Sequence, residues 1–125
     1  MGALTGNRRT VRLIHAASGR EIARSVEIAR TVSQRMRGLL GREALPPGEG
    51  MMIERCSSIH TCFVKFPLDV IFLDSQLVIR KVIRNLRPWR LASALGASRV
   101  VELGAGALDA VAVEPGDALK IEDAP

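Results

Sequence analysis

Residues 56–74 read CSSIHTCFVKFPLDVIFLD, and the second half of this stretch decides the fold. Leu68 to Leu73 is apolar except for Asp69. A short apolar run bounded by Pro67 and by the turn-forming Asp74-Ser75-Gln76 has the pattern of a strand buried on both faces. Asp69 is the exception inside it, and a carboxylate in that setting needs a partner. The first half holds both cysteines and one of the two histidines, so the stretch joins core to potential chemistry.

Downstream, Leu77 to Leu86 predicts a second long strand. Arg87-Pro88-Trp89-Arg90 begins a connection with a helical turn expected at Leu91 to Leu95. Arg99 to Leu103 is again strand-like, Gly104-Ala105-Gly106 leads into a short helix over Ala107 to Val113, and Pro115-Gly116-Asp117 turns into a last strand, Ala118 to Glu122. Upstream, Thr10 to Ala16 and Glu21 to Arg30 read as a hairpin around Ala17 to Arg20. Thr31 to Gln34 fits a capping box for a helix spanning about residues 31 to 41, with Gly41 at its C-terminal stop. Met36, Leu39 and Leu40 supply its expected apolar face. Gly38 inside that helix costs about 0.8–1 kcal/mol against alanine, which close contact with a neighbouring element would offset. The Leu45 to Gly50 segment reads as a loop, Met51 to Glu54 as a short strand, and residues 58 to 64 as another. These elements predict an α+β, β-rich class: a largely antiparallel, curled or barrel-like sheet of about seven strands with two or three short helices.

At 125 residues the length predicts a single domain, with residues 1 to 9 frayed. The opening MGALTGNRRT has no apolar run of signal-peptide length, and no stretch approaches the ~20 apolar residues of a membrane span. Two cysteines without an export signal read as reduced thiols, so the expected location is cytoplasmic. The net charge of +5 comes almost wholly from arginine, since lysine occurs only as Lys65, Lys81 and Lys120. That excess predicts at most salt-sensitive adhesion to acidic polymers.

Several segments together resemble the small bacterial and archaeal family catalogued as domain of unknown function 192 (DUF192). They are Arg37 to Arg42 (RGLLGR), Gly50 to Ile53 (GMMI), Ile59 to Asp74, Val101 to Gly106 (VELGAG) and Pro115-Gly116-Asp117. The resemblance covers about residues 23–122, and family members usually carry methionine where Val64 stands. It implies a compact β-rich domain with helices packed on a curled sheet. It implies no activity and no cofactor.

The residues themselves offer limited chemistry. Cys56, His60 and Cys62 give a C-x3-H-x-C spacing, which is not one of the paired-cysteine patterns of structural zinc. Buried thiols and a hydrogen-bonded strand histidine account for it at least as well. Cys62 activated by His60, with Asp69 orienting the imidazole, is the enzyme reading. Against it, neighbours two apart on a strand project in parallel, roughly 6–7 Å from one another. Gly104-Ala105-Gly106 could present amides to an anion but lacks the rest of a dinucleotide fingerprint. The Arg80 to Arg90 run, with Trp89 inside it, is the nucleic-acid alternative, although a solvated strand face plus loop accounts for its charges. The leading expectation is therefore a noncatalytic small-ligand-binding or accessory module. Its pocket would gather His60, Cys62, Lys65 and Asp69, with Glu102 beside them, and its partner would be a small molecule or a protein.

Overall fold

The expected hairpin forms from Thr10–His15 (β1) and Glu21–Ala29 (β2), paired antiparallel with register shifts after Val11 and Leu13. A computed structural model describes residues 9–124 of the chain. The fraying expected at residues 1 to 8 lies outside them, while the Arg9 carbonyl accepts the Ile28 amide at 3.0 Å. Helix α1 spans Val32–Leu39. Thr31 caps it, its hydroxyl accepting the Gln34 amide at 3.1 Å, while the Gln34 side chain accepts the Arg30 amide at 2.7 Å. The helix ends before Gly41, whose φ of +81° is the left-handed conformation glycine adopts without penalty.

The chain then returns as β3 (Glu49–Glu54), parallel to β2. This corrects the expectation of a largely antiparallel sheet. A crossover through a helix brings the next strand back to the end where the previous one began, so β2-α1-β3 is one β-α-β unit inside an otherwise antiparallel set. The remaining strands are β4 (Ser58–His60), β5 (Leu68–Leu73), β6 (Ile79–Leu86), β7 (Leu91–Ser93), β8 (Arg99–Gly104) and β9 (Leu119–Asp123). Seven of them form one mixed sheet in the order β6-β5-β8-β3-β2-β1-β9, and β4 pairs with β7 as a separate two-stranded ribbon. The sheet curls into a half-barrel whose edges meet at one end. There Val78, just before β6, bridges Ala118, just before β9, and the Ile79 amide donates to the Asp117 carbonyl at 2.8 Å.

The helix count also falls short of expectation. Among the described residues α1 is the one α-helix, with a single 3-10 turn at Ala107–Asp109. The expected turn at Leu91 to Leu95 is instead β7, because its backbone pairs with β4 in register Ile59↔Ala92. The strand expected over residues 58 to 64 stops at His60.

Both faces of the sheet are buried at its centre, and β5 has no exposed residue. The inside of the curl holds Val11, Leu13, Val26, Ile71, Leu73, Val101 and Leu103, sealed by Leu108, Val111 and Val113. The outer face holds Met51, Ile53, Val70, Phe72 and Val100, covered by Leu39 of α1, Ile59 of the ribbon, and Val64 and Phe66 of the loop after it. Gly38 faces Met51, where a Cβ would collide with the end of that side chain, which is the close contact its presence predicted. No helix among the described residues is long and apolar enough to cross a membrane.

Candidate functional site

The two buried carboxylates lie on opposite faces of the sheet. Asp69 is level with Leu103 across β5 and β8, on the face inside the curl. Glu102 is level with Val70, on the outer face. Side chains alternate across a strand, so the sheet itself separates them.

Asp69 is wholly committed to backbone. Its Oδ1 accepts the Asn85 amide at 2.9 Å, and its Oδ2 accepts the Gly106 and Leu108 amides, both at 3.1 Å. Asn85 is left-handed (φ +56°) where β6 slips register against β5, and Gly106 (φ +92°) opens the 3-10 turn. The anion held after the Gly104-Ala105-Gly106 run, by the Gly106 and Leu108 amides, is thus the chain's own carboxylate. It pins two irregular segments and does not share a rim with His60.

Glu102 is 0 % exposed and Arg35 is 3 % exposed. Arg35 reaches from α1 with a two-pronged grip: Nε donates to Oε1 at 2.8 Å and Nη2 to Oε2 at 2.6 Å. Nη2 also donates to the His60 carbonyl at 2.8 Å, so one guanidinium ties α1, β8 and β4 together. Glu102 is therefore a buried, paired carboxylate. Sequence reasoning missed Arg35. The signal was its i, i+4 spacing from Leu39, which places both on the inward face of α1, whereas Leu40 points outward.

His60 lies half-buried at the end of β4. Its Nδ1 accepts the Cys62 amide at 3.3 Å, which places the proton of a neutral ring on Nε2. Cys56 donates from Sγ to the Ser58 carbonyl at 3.0 Å. Among the described residues neither thiol bonds the imidazole, and no three His, Cys, Asp or Glu side chains come together around a common point for a metal ion. Cys56, His60 and Cys62 are accordingly not gathered as a ligand set. Lys65 is exposed on the loop beyond Cys62.

A groove of about 610 Å³ runs along the ribbon beside His60. Val32 of α1, Ile59, Leu91 and Ala92 form its apolar walls, and Lys81 of β6 stands at its rim with Ser93. The Lys81 ammonium donates to the Ser93 carbonyl at 2.9 Å, which leaves two of its three donors free. Of the five sequence-derived candidates only His60 lines this groove. Lys81 and Leu91 were legible merely as a charge and an apolar residue in a run.

Beyond His60, Thr61 is fully buried and knots two loops. Its amide donates to the Arg90 carbonyl at 2.9 Å and its hydroxyl to the Arg87 carbonyl at 2.7 Å. The hydroxyl also accepts the Arg90 amide at 2.8 Å. Val64 and Phe66 are buried just after it, whereas Phe63, immediately before Val64, points outward with φ +69°. Trp89 opposite is likewise left-handed (φ +63°), and the rings meet edge-on with centroids 4.8 Å apart. A bulky residue in that region costs on the order of 1–3 kcal/mol and persists only where its surroundings over-determine it.

Residues 13–121 match the profile of the DUF192 family, described as "Uncharacterized ACR". A UPF0127 protein of Thermococcus sibiricus is 32% identical over 120 residues, covering 88% of this chain and 74% of its own. Two solved structures share the architecture. One, from Sinorhizobium meliloti 1021, is described as a "putative transcription regulator" and superposes with a TM-score of 0.77 at 33% identity, over 91% of this chain and 93% of that one. The other, a protein of unknown function from Novosphingobium aromaticivorans DSM 12444, superposes with a TM-score of 0.73 at 25% identity, over 90% and 84%.

Proposed function

We propose, from the premise that this chain belongs to the DUF192 family, that it is a noncatalytic binding module. Its groove along β4 and β7 takes a small anionic molecule with an apolar body. The observation that carries this reading is the groove's lining, with apolar walls, an imidazole and an ammonium group at the rim, and no carboxylate. Apolar enclosure with a few convergent polar groups is the usual composition of a small-molecule site.

In this reading His60 and Lys81 touch the ligand, and the other sequence-derived candidates act around them. Glu102 works through Arg35, which holds the carbonyl of His60. Asp69 holds Asn85 and with it the strand that carries Lys81. Cys62 fixes the imidazole through its amide, and Lys65 adds charge on the neighbouring loop. Catalysis by Cys62 with His60 finds no supporting contact.

The test is a thermal-shift screen of short- and medium-chain carboxylates and phosphate monoesters at millimolar concentration. A ligand that prefers the native state raises the melting temperature by mass action. The shift should disappear in Lys81→Met and shrink in His60→Asn. A screen with no stabilising acid, or a shift unchanged in both variants, sinks the proposal.

A further inference from the structure

The aromatic corner made by Phe63 and Trp89 lies on a different part of the ribbon layer from the groove walls, and its surroundings have an unusual charge distribution. Residues 55–68 and 75–101 contain no aspartate or glutamate, so all 13 carboxylates lie elsewhere. The same two segments carry two and six lysines or arginines respectively. Thr61 brings them together, joining the loop after β4 to the loop before β7. Lys65 and Arg87, which flank the corner, are exposed, and among the described residues neither side chain forms an ion pair or hydrogen bond. Arg90 donates to the carbonyls of Pro88 and Trp89, each at 3.5 Å, which keeps its guanidinium close to the backbone that carries the indole.

Between these two acid-free segments Phe63 is 63% and Trp89 60% exposed. An edge-on pair leaves more ring face open than a parallel stack of the same two rings. The left-handed backbone at both residues holds the rings outward, where collapse onto the core would have hidden them. From this juxtaposition we infer that the Phe63–Trp89 corner binds single-stranded nucleic acid. Unpaired bases stack on the open ring faces, and Lys65, Arg87 and Arg90 meet the phosphates. Stacking tolerates any base, because each has a π-face, so the expected recognition is of single-strandedness rather than sequence. A duplex keeps its bases covered and offers the corner only phosphates. An acidic peptide would satisfy the charges but would give the projecting rings no flat partner.

Trp89 is the sole tryptophan, so its fluorescence reports the site directly. Twelve-nucleotide single-stranded RNA and DNA titrated into the intact chain in 50 mM salt should quench it saturably. Three phosphate contacts on a single strand give a slope of about −2 in log affinity against log salt, or roughly a tenfold to twentyfold loss between 50 and 200 mM. Phe63→Ala, read by anisotropy of a labelled oligonucleotide, should weaken binding roughly tenfold to hundredfold with the melting temperature little changed. The double variant Lys65→Gln/Arg87→Gln keeps the rings and should lower the salt slope by about 1.4. Absence of quenching and of an anisotropy change overturns the inference. So does equal quenching by heparin or polyaspartate, which carry charge without bases, and so does an affinity indifferent to Phe63→Ala.

Discussion

Replacing Arg35 by Met removes the guanidinium that grips Glu102, and the structure sets the size of the effect. Glu102 is fully buried with its two oxygens bonded to Arg35 at 2.8 and 2.6 Å. Breaking such a pair from one side leaves a buried, uncompensated charge, at a cost of about 3–5 kcal/mol. Glu102→Leu should cost a similar amount, since it strands the guanidinium in the same place. Against a domain stability of about 5–15 kcal/mol, either change removes a large fraction. At about 2.1 cal/mol/K of unfolding entropy per residue, the melting temperature of a 125-residue chain falls by roughly 10–20 °C. The double variant Arg35→Met/Glu102→Leu replaces the pair by apolar groups and should recover most of the loss, because apolar replacement of a whole buried pair is often neutral or better. Recovery is expected to be incomplete. Arg35 also donates to the His60 carbonyl at 2.8 Å, and that acceptor loses its partner in the double variant, a residual cost of about 1–3 kcal/mol. Urea unfolding of the four proteins with matched m-values measures the cycle. Single variants that each lose less than about 1 kcal/mol, or a double variant no more stable than the worse single, would refute the account of α1 as clamped to the sheet by charge.

Asp69→Ala should destabilise by about 2–4 kcal/mol in urea unfolding, because three backbone donors at 2.9–3.1 Å lose one shared acceptor. Hydrogen exchange should rise first at Asn85, Gly106 and Leu108, and uniform exchange would argue against the pinning role. Gly104→Ala should cost about 1–3 kcal/mol, because a Cβ would stand 2.6 Å from the Leu45 carbonyl, and backbone cannot swing aside as a side chain can. The Asp74 carboxyl is held below its ordinary value, chiefly by the Val78 amide, with the Gln76 amide and the charges of Arg80 and Arg99 adding to the effect. A depressed folded-state value means the stabilisation is complete above the unfolded value of about 3.8 and is lost as pH falls through the folded one. Asp74→Asn should therefore be less stable than the parent near neutrality and converge with it in acid below that point. A difference independent of pH from 7 to 2 would contradict this assignment.

The parts of the fold legible in the sequence are those fixed by local period. Leu68–Leu73 has β-branched and aromatic residues between a proline and a turn, and it is the strand buried on both faces. The Thr31 cap and the left-handed Gly41 bound α1 within two residues of the expected ends. Pairing partners are a different kind of information. Whether β3 joins β2 parallel or antiparallel depends on how a helix crosses the sheet, and no residue of Glu49–Glu54 encodes that. The ribbon was lost for a related reason. Leu91–Ser93 is three residues long with Leu91 almost fully exposed, so no alternation marks it, and only β4 makes it a strand. Which face each carboxylate takes is likewise a matter of register. Asp69 and Glu102 were recognisable as carboxylates needing partners, yet alternation along two adjacent strands puts them on opposite faces, and contact with His60 comes to Glu102 only through Arg35.

This separation has a consequence for where function resides. Each buried carboxylate is consumed by structure: one pins irregular backbone inside the curl, the other clamps the helix outside it. Among the described residues, both buried carboxylates of the sheet are thereby fully engaged. What remains available is the layer laid over the outer face, namely the ribbon, the Thr61-knotted loops and the start of α1. That layer carries the imidazole of His60, the Phe63–Trp89 pair and the exposed Val32 and Leu91. It is anchored by few but directional bonds, from Arg35 to the His60 carbonyl, Lys81 to the Ser93 carbonyl and Thr61 to Arg87 and Arg90. A sheet stabilised from both faces can hold such a thin layer steady while every exposed position on it varies. In the binding roles proposed above, affinity and specificity would then change through residues whose replacement leaves the half-barrel intact. The stability loss expected for Arg35→Met and the nearly unchanged melting temperature expected for Phe63→Ala are two sides of that division.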